Sequence, residues 1–367
     1  MNSDLIITRI EPHTEEWYAF RENGIGGSEV ATILGLDKYN TAARLFHEKV
    51  GDYKQRREDN QGTFWGRKLE DEIAEIWEFY DGSEDGYIEN FKNNRVVRNC
   101  RNINGYVVNP KYPWLFASLD RVQNIKGGRN LLTGEALVTE AVLEIKTLSY
   151  WAAQMWADGI PISYLAQVHQ YMIILETDYA EIAILQDGRD FRVEKIQRDD
   201  ALCERIIEIT RMFWENRVLP AKEAYAKKME AQSVQNIPEA EKWEGEIQRF
   251  EPDPDNSEAY REFIEERFLK ERETVDGTID QYDLCKKDTF LRKFKARIEA
   301  ERTGIQNLIL RDMNRYGVEV IDFSKLGNIT WSERKGSKNR TFAIRIKETP
   351  SEEKIEAEFK KIDPDYH

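Results

Sequence analysis

Asp120, Glu144 and Lys146 are the residues whose types and spacing point most directly to chemistry. Glu144 and Lys146 interrupt the apolar run Ala141-Val142-Leu143-Glu144-Ile145-Lys146-Thr147, and Asp120 follows the run Trp114-Leu115-Phe116-Ala117-Ser118-Leu119. Each reads as a buried strand carrying charge that packing alone does not require. Side chains alternate across a strand, so Glu144 and Lys146 share one face and Ile145 points the other way. Turn-forming stretches lie between the two runs, Lys126-Gly127-Gly128-Arg129-Asn130 and Thr133-Gly134, so a hairpin or near-hairpin would set Asp120 beside Glu144. Two carboxylates and an ammonium at a sheet end suit a hard divalent cation with a charged group next to it. The plainer reading is a strand end with one ion pair. Val142, Leu143 and Ile145 weigh against it, because they cover both faces and leave the charges costly unless paired or metal-bound.

Three further motifs surround this pair. In Gly66 to Tyr80 the apolar side of a helix is Leu69, Ile73, Ile76, Trp77 and Tyr80. Asp71, Glu72, Glu75 and Glu78 fall opposite, but Glu70 lies within about 20° of Trp77. An inward carboxylate needs a partner, and a metal or an arginine serves equally. Arg21-Glu22-Asn23-Gly24-Ile25-Gly26-Gly27-Ser28 opens into a helix. Ser28 is expected as its N-cap, and glycine N–H groups with Arg21 would suit an anion; a capped helix after a tight turn is the alternative. No Gly-Lys-Ser/Thr follows, so this is not a Walker loop. In Ser163 to Leu175, Gln167 and Tyr171 share a face of a helix that is apolar nearly all round, and buried polar groups need hydrogen-bond partners. His169 is expected as a core histidine.

The elements that must position these residues read as α/β. Helices are expected over Ser28 to Leu34, Thr41 to Val50, Lys68 to Tyr80, Tyr164 to Leu175 and Ala201 to Glu215. Strands are expected at Arg95 to Val97, Gly105 to Val108, Leu115 to Leu119, Val142 to Lys146 and Glu181 to Leu185. Interleaving of this kind predicts a mixed central sheet flanked by helices in residues 1–220. Residues 221–257 read as an acidic linker. Residues 258–367 read as a mainly helical extension ending in a β-hairpin, with strands at Gly327 to Trp331 and Arg340 to Ile346 joined by a turn over 334–339.

Composition narrows the class. The chain has 367 residues, 40% hydrophobic and 33% charged, enough for a sizeable core with a wet surface. No membrane span or signal peptide is read, and Cys100, Cys203 and Cys285 are too scattered for a zinc site or a disulfide framework. A reducing cytosol fits best. The net charge of −14 weighs against a nucleic-acid partner, but residues 222–266, with 13 acids and six bases, hold half of it. Lys92, Arg95, Arg98 and Arg101, and separately Arg121, Lys126 and Arg129, are candidate basic stripes.

Taken in order, Arg21 to Leu36, Trp65-Gly66-Arg67-Lys68-Leu69-Glu70, Phe116-Ala117-Ser118-Leu119-Asp120, Leu143-Glu144-Ile145-Lys146 and Gln167-x-x-x-Tyr171 resemble the YqaJ-type viral recombinase nucleases. That group is similar to phage lambda exonuclease within the PD-(D/E)xK nucleases. The resemblance implies a restriction-endonuclease-like core over roughly residues 10–220. It implies a 5′→3′ double-strand DNA exonuclease that leaves a 3′ overhang and uses Mg²⁺, with Mn²⁺ as a substitute. It further implies a phage or prophage protein in the bacterial cytoplasm, a homo-oligomer, often a ring-shaped trimer, and a single-strand annealing partner. On this resemblance Asp120 and Glu144 ligate metal with the Ile145 carbonyl, and Glu70 is a further acidic ligand. Lys146 orients or helps deprotonate the attacking water. Arg21 and Ser28 hold the 5′-terminal phosphate, and Gln167 and Tyr171 support the lysine and the scissile strand. Two positions depart from the pattern: Leu119 stands where the family usually has proline, and His169 where it often has a second glutamine. An endonuclease on the same core and a non-catalytic DNA-end-binding adaptor are the competing readings. The adaptor would have lost a ligand or the lysine, and here none is lost. A nucleotide-binding enzyme built on Gly24 to Ser28 lacks a ribose or magnesium partner motif.

Overall fold

The structure, a computed structural model, describes residues 4–54, 60–83, 85–156, 159–267, 276–324, 327–333 and 340–346, with single positions 355 and 357. The chain divides into two units, Met1–Leu269 and Lys270–His367. The first begins with β1 (Ile6–Thr8), α1 (Glu15–Glu22), β2 (Ile25–Gly26), α2 (Gly27–Ile33), α3 (Ala42–Val50), α4 (Gln61–Glu78) and α5 (Gly86–Lys92). It continues through β3 (Cys100–Arg101), β4 (Tyr106–Val108), β5 (Leu115–Ser118), β6 (Arg121–Gln123), β7 (Ala141–Leu148), α6 (Tyr150–Gln154) and α7 (Ile162–Leu175). Then come β8 (Tyr179–Gln186), β9 (Asp190–Gln197), α8 (Asp200–Phe213), a π-helical turn (Trp214–Val218), α9 (Leu219–Ser233), α10 (Ile237–Phe250) and α11 (Glu258–Arg267).

The fold is the expected mixed sheet flanked by helices. One sheet has the order β3-β6-β7-β8-β9, with β7 and β8 parallel and the other pairs antiparallel. The β7–β8 connection runs through α6 and α7, the helical crossover that a parallel pair requires. A second sheet has the order β1-β4-β5-β2. Alternation along β7 sorts its side chains between two cores. Val142 and Leu148 join the core built with α7, whereas Leu143 and Ile145 join the core built with α4 around Ile73 and Trp77. Glu144 and Lys146 therefore face the α7 side.

Helix α4 starts at Gln61 rather than Lys68, because Asn60 accepts the N–H of Thr63 (2.9 Å) and its first turns are exposed, where no apolar period marks them. Trp77 is wholly buried and donates Nε1–H to Glu181 on β8 (2.7 Å). Arg98 stacks over the Trp77 ring (3.8 Å) and pairs with the same carboxylate (2.9 Å), and Tyr179 donates its hydroxyl to it (2.7 Å). Burying an aromatic ring of this size stabilises by about 1.5–3 kcal/mol, and the satisfied Glu181 pins α4 to the sheet.

Arg95 to Val97 form no strand; the N–H groups of Val97 and Arg98 instead close onto the Glu78 carbonyl at the end of α4. The stripe containing Arg98 is broken: Arg98 is buried against Glu181 and Arg101 pairs with Glu140 (2.7 Å), while Lys92 and Arg95 are exposed. The second stripe is broken by Arg121, which is buried against acids of α4. The acidic stretch 221–257 is not a linker. It forms α9 and α10 within the first unit, burying Ala221, Ala224, Ala231, Ala240 and Ile247. Its acids and those of α11 bind α3: Asp255 accepts the Thr41 hydroxyl (2.6 Å), Glu266 pairs with Arg44 (3.4 Å) and Glu251 with His47 (3.3 Å). A charge count treats such residues as a solvated run, yet here they are partners.

The second unit contains α12 (Ile279–Tyr316), β10 (Val320–Asp322), β11 (Gly327–Glu333) and β12 (Arg340–Ile346). β11 and β12 pair antiparallel from Gly327↔Ile346 to Glu333↔Arg340, so the terminal hairpin is present; its turn, 334–339, lies outside the described residues. Among the described residues no helix is long and apolar enough to cross a membrane. The three cysteines are free thiols.

Candidate active site

The strand pair β6–β7 builds the centre. Arg121 opposes Leu143 in an antiparallel ladder, so Asp120 sits one residue beyond the end of β6, level with Glu144. There the Asp120 side chain continues the ladder: its Oδ2 accepts the N–H of Ile145 (2.8 Å). Lys146 donates its ammonium to Glu144 Oε1 (2.5 Å). The near-hairpin expected from the turn residues thus brings Asp120, Glu144 and Lys146 together, on the register that alternation dictates.

Helix α7 covers this face. Gln167 donates its amide to Glu144 Oε1 (2.8 Å) and to the Tyr171 hydroxyl (3.1 Å). Tyr164, one turn earlier, places its ring 5.6 Å from the Lys146 ammonium. Sequence reasoning missed Tyr164, although its i−3 spacing from Gln167 sets it on the same helical face. It also missed Gln170, whose amide bridges the carbonyls of Ile25 (2.9 Å) and Phe116 (3.0 Å) and ties β2 to β5. His169 is the expected core histidine: its ring bonds the Leu165 carbonyl (2.7 Å) and accepts the Asp199 N–H (3.1 Å).

The Glu70 carboxylate accepts from Arg121 (2.6 Å), the arginine partner, and it lies close enough to Asp120 for the two charges to disfavour each other. Burial, then the Asp120 charge, raises Glu70 above the ordinary glutamate value. Burial raises Asp120 as well, and burial followed by the Asp120 charge raises Glu144. Burial opposes the Lys146 ammonium, but Glu144 and Asp120 outweigh it and keep the lysine charged. One ammonium and one guanidinium therefore leave three crowded carboxylates short of positive charge.

Arg21, expected to hold phosphate with Ser28, is engaged by Glu29, the residue that follows Ser28. Arg21 pairs with Glu29 (2.5 Å) and stacks on Trp17 and Phe116, while buried Lys49 holds the same Glu29 (2.7 Å). Burial lowers Lys49 to about 8. The N-cap of α2 is Gly26, not Ser28; Ser28 lies exposed in the first turn. The glycines serve packing. A Cβ on Gly27 would lie 2.4 Å from the Tyr171 ring, and one on Gly26 would lie 2.9 Å from the Phe116 ring.

The donor set suits a hard divalent cation. Glu144 is buried, and its Oε2 has no hydrogen-bond partner among the described residues. No three His, Cys, Asp or Glu side chains among the described residues close into a cage. Mg²⁺ does not need one, since it commonly takes one or two carboxylates and keeps several waters. A groove of about 610 Å³ runs from Asp120 and Glu70 past Arg9, Arg67, Asn102, Asn104 and Ser118. Another groove, of about 480 Å³, passes Trp65, Thr147 and Ser149.

Comparison with known proteins places the chain among relatives. The sequence pattern of the YqaJ-like viral recombinase domain matches residues 16–180. An uncharacterized protein YqaJ of Bacillus subtilis strain 168 is 30% identical over 247 residues, covering 64% of this chain and 69% of the relative. Among solved structures, an alkaline exonuclease from Laribacter hongkongensis is similar over 60% of this chain and 99% of its own, at 18% identity and a TM-score of 0.42. A phage-related exonuclease from Haemophilus somnus 129PT is similar over 54% and 96%, at 13% identity and a TM-score of 0.36.

Proposed function

The chain belongs to the YqaJ-like viral recombinase domain family, and on that premise we propose that it is a metal-dependent nuclease acting on double-stranded DNA ends. In this reading it digests 5′→3′ and leaves a 3′ single-stranded overhang. The observation that carries the reading is the buried Glu144 carboxylate, tethered at Oε1 by Lys146 and Gln167 and without a hydrogen-bond partner among the described residues at Oε2, beside Asp120.

Asp120, Glu144 and the Ile145 carbonyl would hold Mg²⁺, or Mn²⁺ in its place, with Glu70 as a further acidic donor. When bound, such an ion polarises the scissile phosphate and makes a coordinated water a better nucleophile. Lys146 stays charged beside Glu144, so its task is to orient the attacking water and offset phosphate charge. Gln167 and Tyr171 keep Glu144 and Lys146 in place. The groove of Arg9, Arg67, Asn102 and Asn104 offers donors to a DNA backbone next to the carboxylates. Arg21 and Ser28 would take the 5′-terminal phosphate only with Arg21 released from, or shared with, Glu29. In the same reading the enzyme works in the bacterial cytoplasm as a homo-oligomer, a ring-shaped trimer among the options, with a single-strand annealing protein.

The test uses linear duplex DNA labelled at one 5′ end and the same sequence as a closed circle, with Mg²⁺ and with chelator. Metal-dependent release of labelled mononucleotide, with the circle untouched, is the expected result. Cutting of the circle would replace the exonuclease with an endonuclease. End binding without cleavage under any divalent ion would replace it with an adaptor.

A further inference from the structure

We propose that Arg121 is a positioning residue that serves as a built-in counter-cation of the site, orienting Glu70 beside Asp120 and offsetting part of their charge before any ion arrives. Arg121 opposes Leu143, which faces α4, so the arginine points away from the Glu144 face and toward α4. There Nη1 donates both to Glu70 Oε1 (2.6 Å) and to the Asp120 carbonyl (2.5 Å), and Nη2 donates to Asp71. The arginine side chain is only 6% exposed against 28% for Glu70, so the anchored member of the pair is the arginine. One planar group thus fixes the main chain at Asp120 and the carboxylate of Glu70 relative to each other. With Nη2 on Asp71, the planar guanidinium makes all three contacts in a fixed geometry, which a lysine ammonium on its flexible stem does not preorganise. The same charge lies where it competes with a divalent ion for Glu70.

The inference rests on the nuclease reading for its functional half, and two measurements keep the halves apart. First, Mg²⁺ is titrated by calorimetry into the full-length protein without DNA. Arg121→Gln should bind Mg²⁺ about tenfold tighter, because a competing positive charge is gone. At saturating Mg²⁺ its turnover should fall by about tenfold or more with KM for DNA ends unchanged, because Glu70 is no longer held. Arg121→Lys should return Mg²⁺ affinity to that of the parent while turnover stays low. A purely structural role moves affinity and turnover in the same direction, and that outcome overturns the proposal; so does full turnover in Arg121→Lys, which also carries the test if Arg121→Gln does not fold. Second, thermal melting in chelator is followed for Arg121→Lys, Glu70→Gln and the double variant. Non-additive losses are expected, and additive losses overturn the clamp whether or not the protein cuts DNA. Absence of cleavage by the parent protein, with non-additive melting, would remove the nuclease reading and leave the clamp standing.

Discussion

Gln167 donates its amide to Glu144 Oε1 at 2.8 Å while the second oxygen of the same carboxylate takes no hydrogen bond from any described residue. Leaving a buried acceptor bare costs about 1–3 kcal/mol. A buried oxygen left unpaired while its twin is held suits a cation, the partner proposed for it above.

Asp120→Asn and Glu144→Gln keep shape and remove charge. Each should lower Mg²⁺-dependent release of 5′ label by on the order of 100-fold or more, while binding of DNA ends in chelator persists. Gel-shift and label-release assays on the same preparations separate the two. Near-parental cleavage by either variant would remove that carboxylate from the site.

Lys146→Ala should abolish hydrolysis and retain end binding. The variant also leaves Glu144 with less compensation, so divalent-ion binding should not weaken. Retained turnover would remove Lys146 from its role.

Gly27→Ala should act on the site from outside it. The new Cβ collides with the Tyr171 ring, and overpacking of this kind costs about 1–3 kcal/mol. Urea unfolding should report that loss. Tyr171→Phe in the Gly27→Ala background should not restore stability, because the ring rather than the hydroxyl makes the collision.

His47 predicts a pH dependence of stability. Burial would lower its pKa, but hydrogen bonds to Asp52 (2.9 Å) and Glu251 outweigh burial and raise it above the ordinary 6.5. The folded protein therefore holds this proton more tightly than the unfolded chain. The contribution is fully present below about pH 6.5 and is lost as the pH rises through the folded value. The difference in melting temperature between the parent and His47→Gln should shrink from pH 6 to pH 9. A difference that grows with pH would contradict the assignment.

By itself the sequence determined the local parts: the strands that carry Asp120 and Glu144, the placement of Glu144 and Lys146 on one face, the shared face of Gln167 and Tyr171, and the inward edge position of Glu70. These follow from periods of two and 3.6 residues, which are properties of the backbone and survive in any tertiary context. The tertiary structure alone decided partners. Glu70 lies 51 positions from Arg121 and Trp77 lies 104 from Glu181, and no local spacing encodes such pairs. The same limit read the acids of 221–257 as a linker and hid the burial of Arg98 and Arg121 within the two basic stripes. A charge or a glycine has several uses at equal local energy, and the neighbour that selects among them arrives only when distant segments pack.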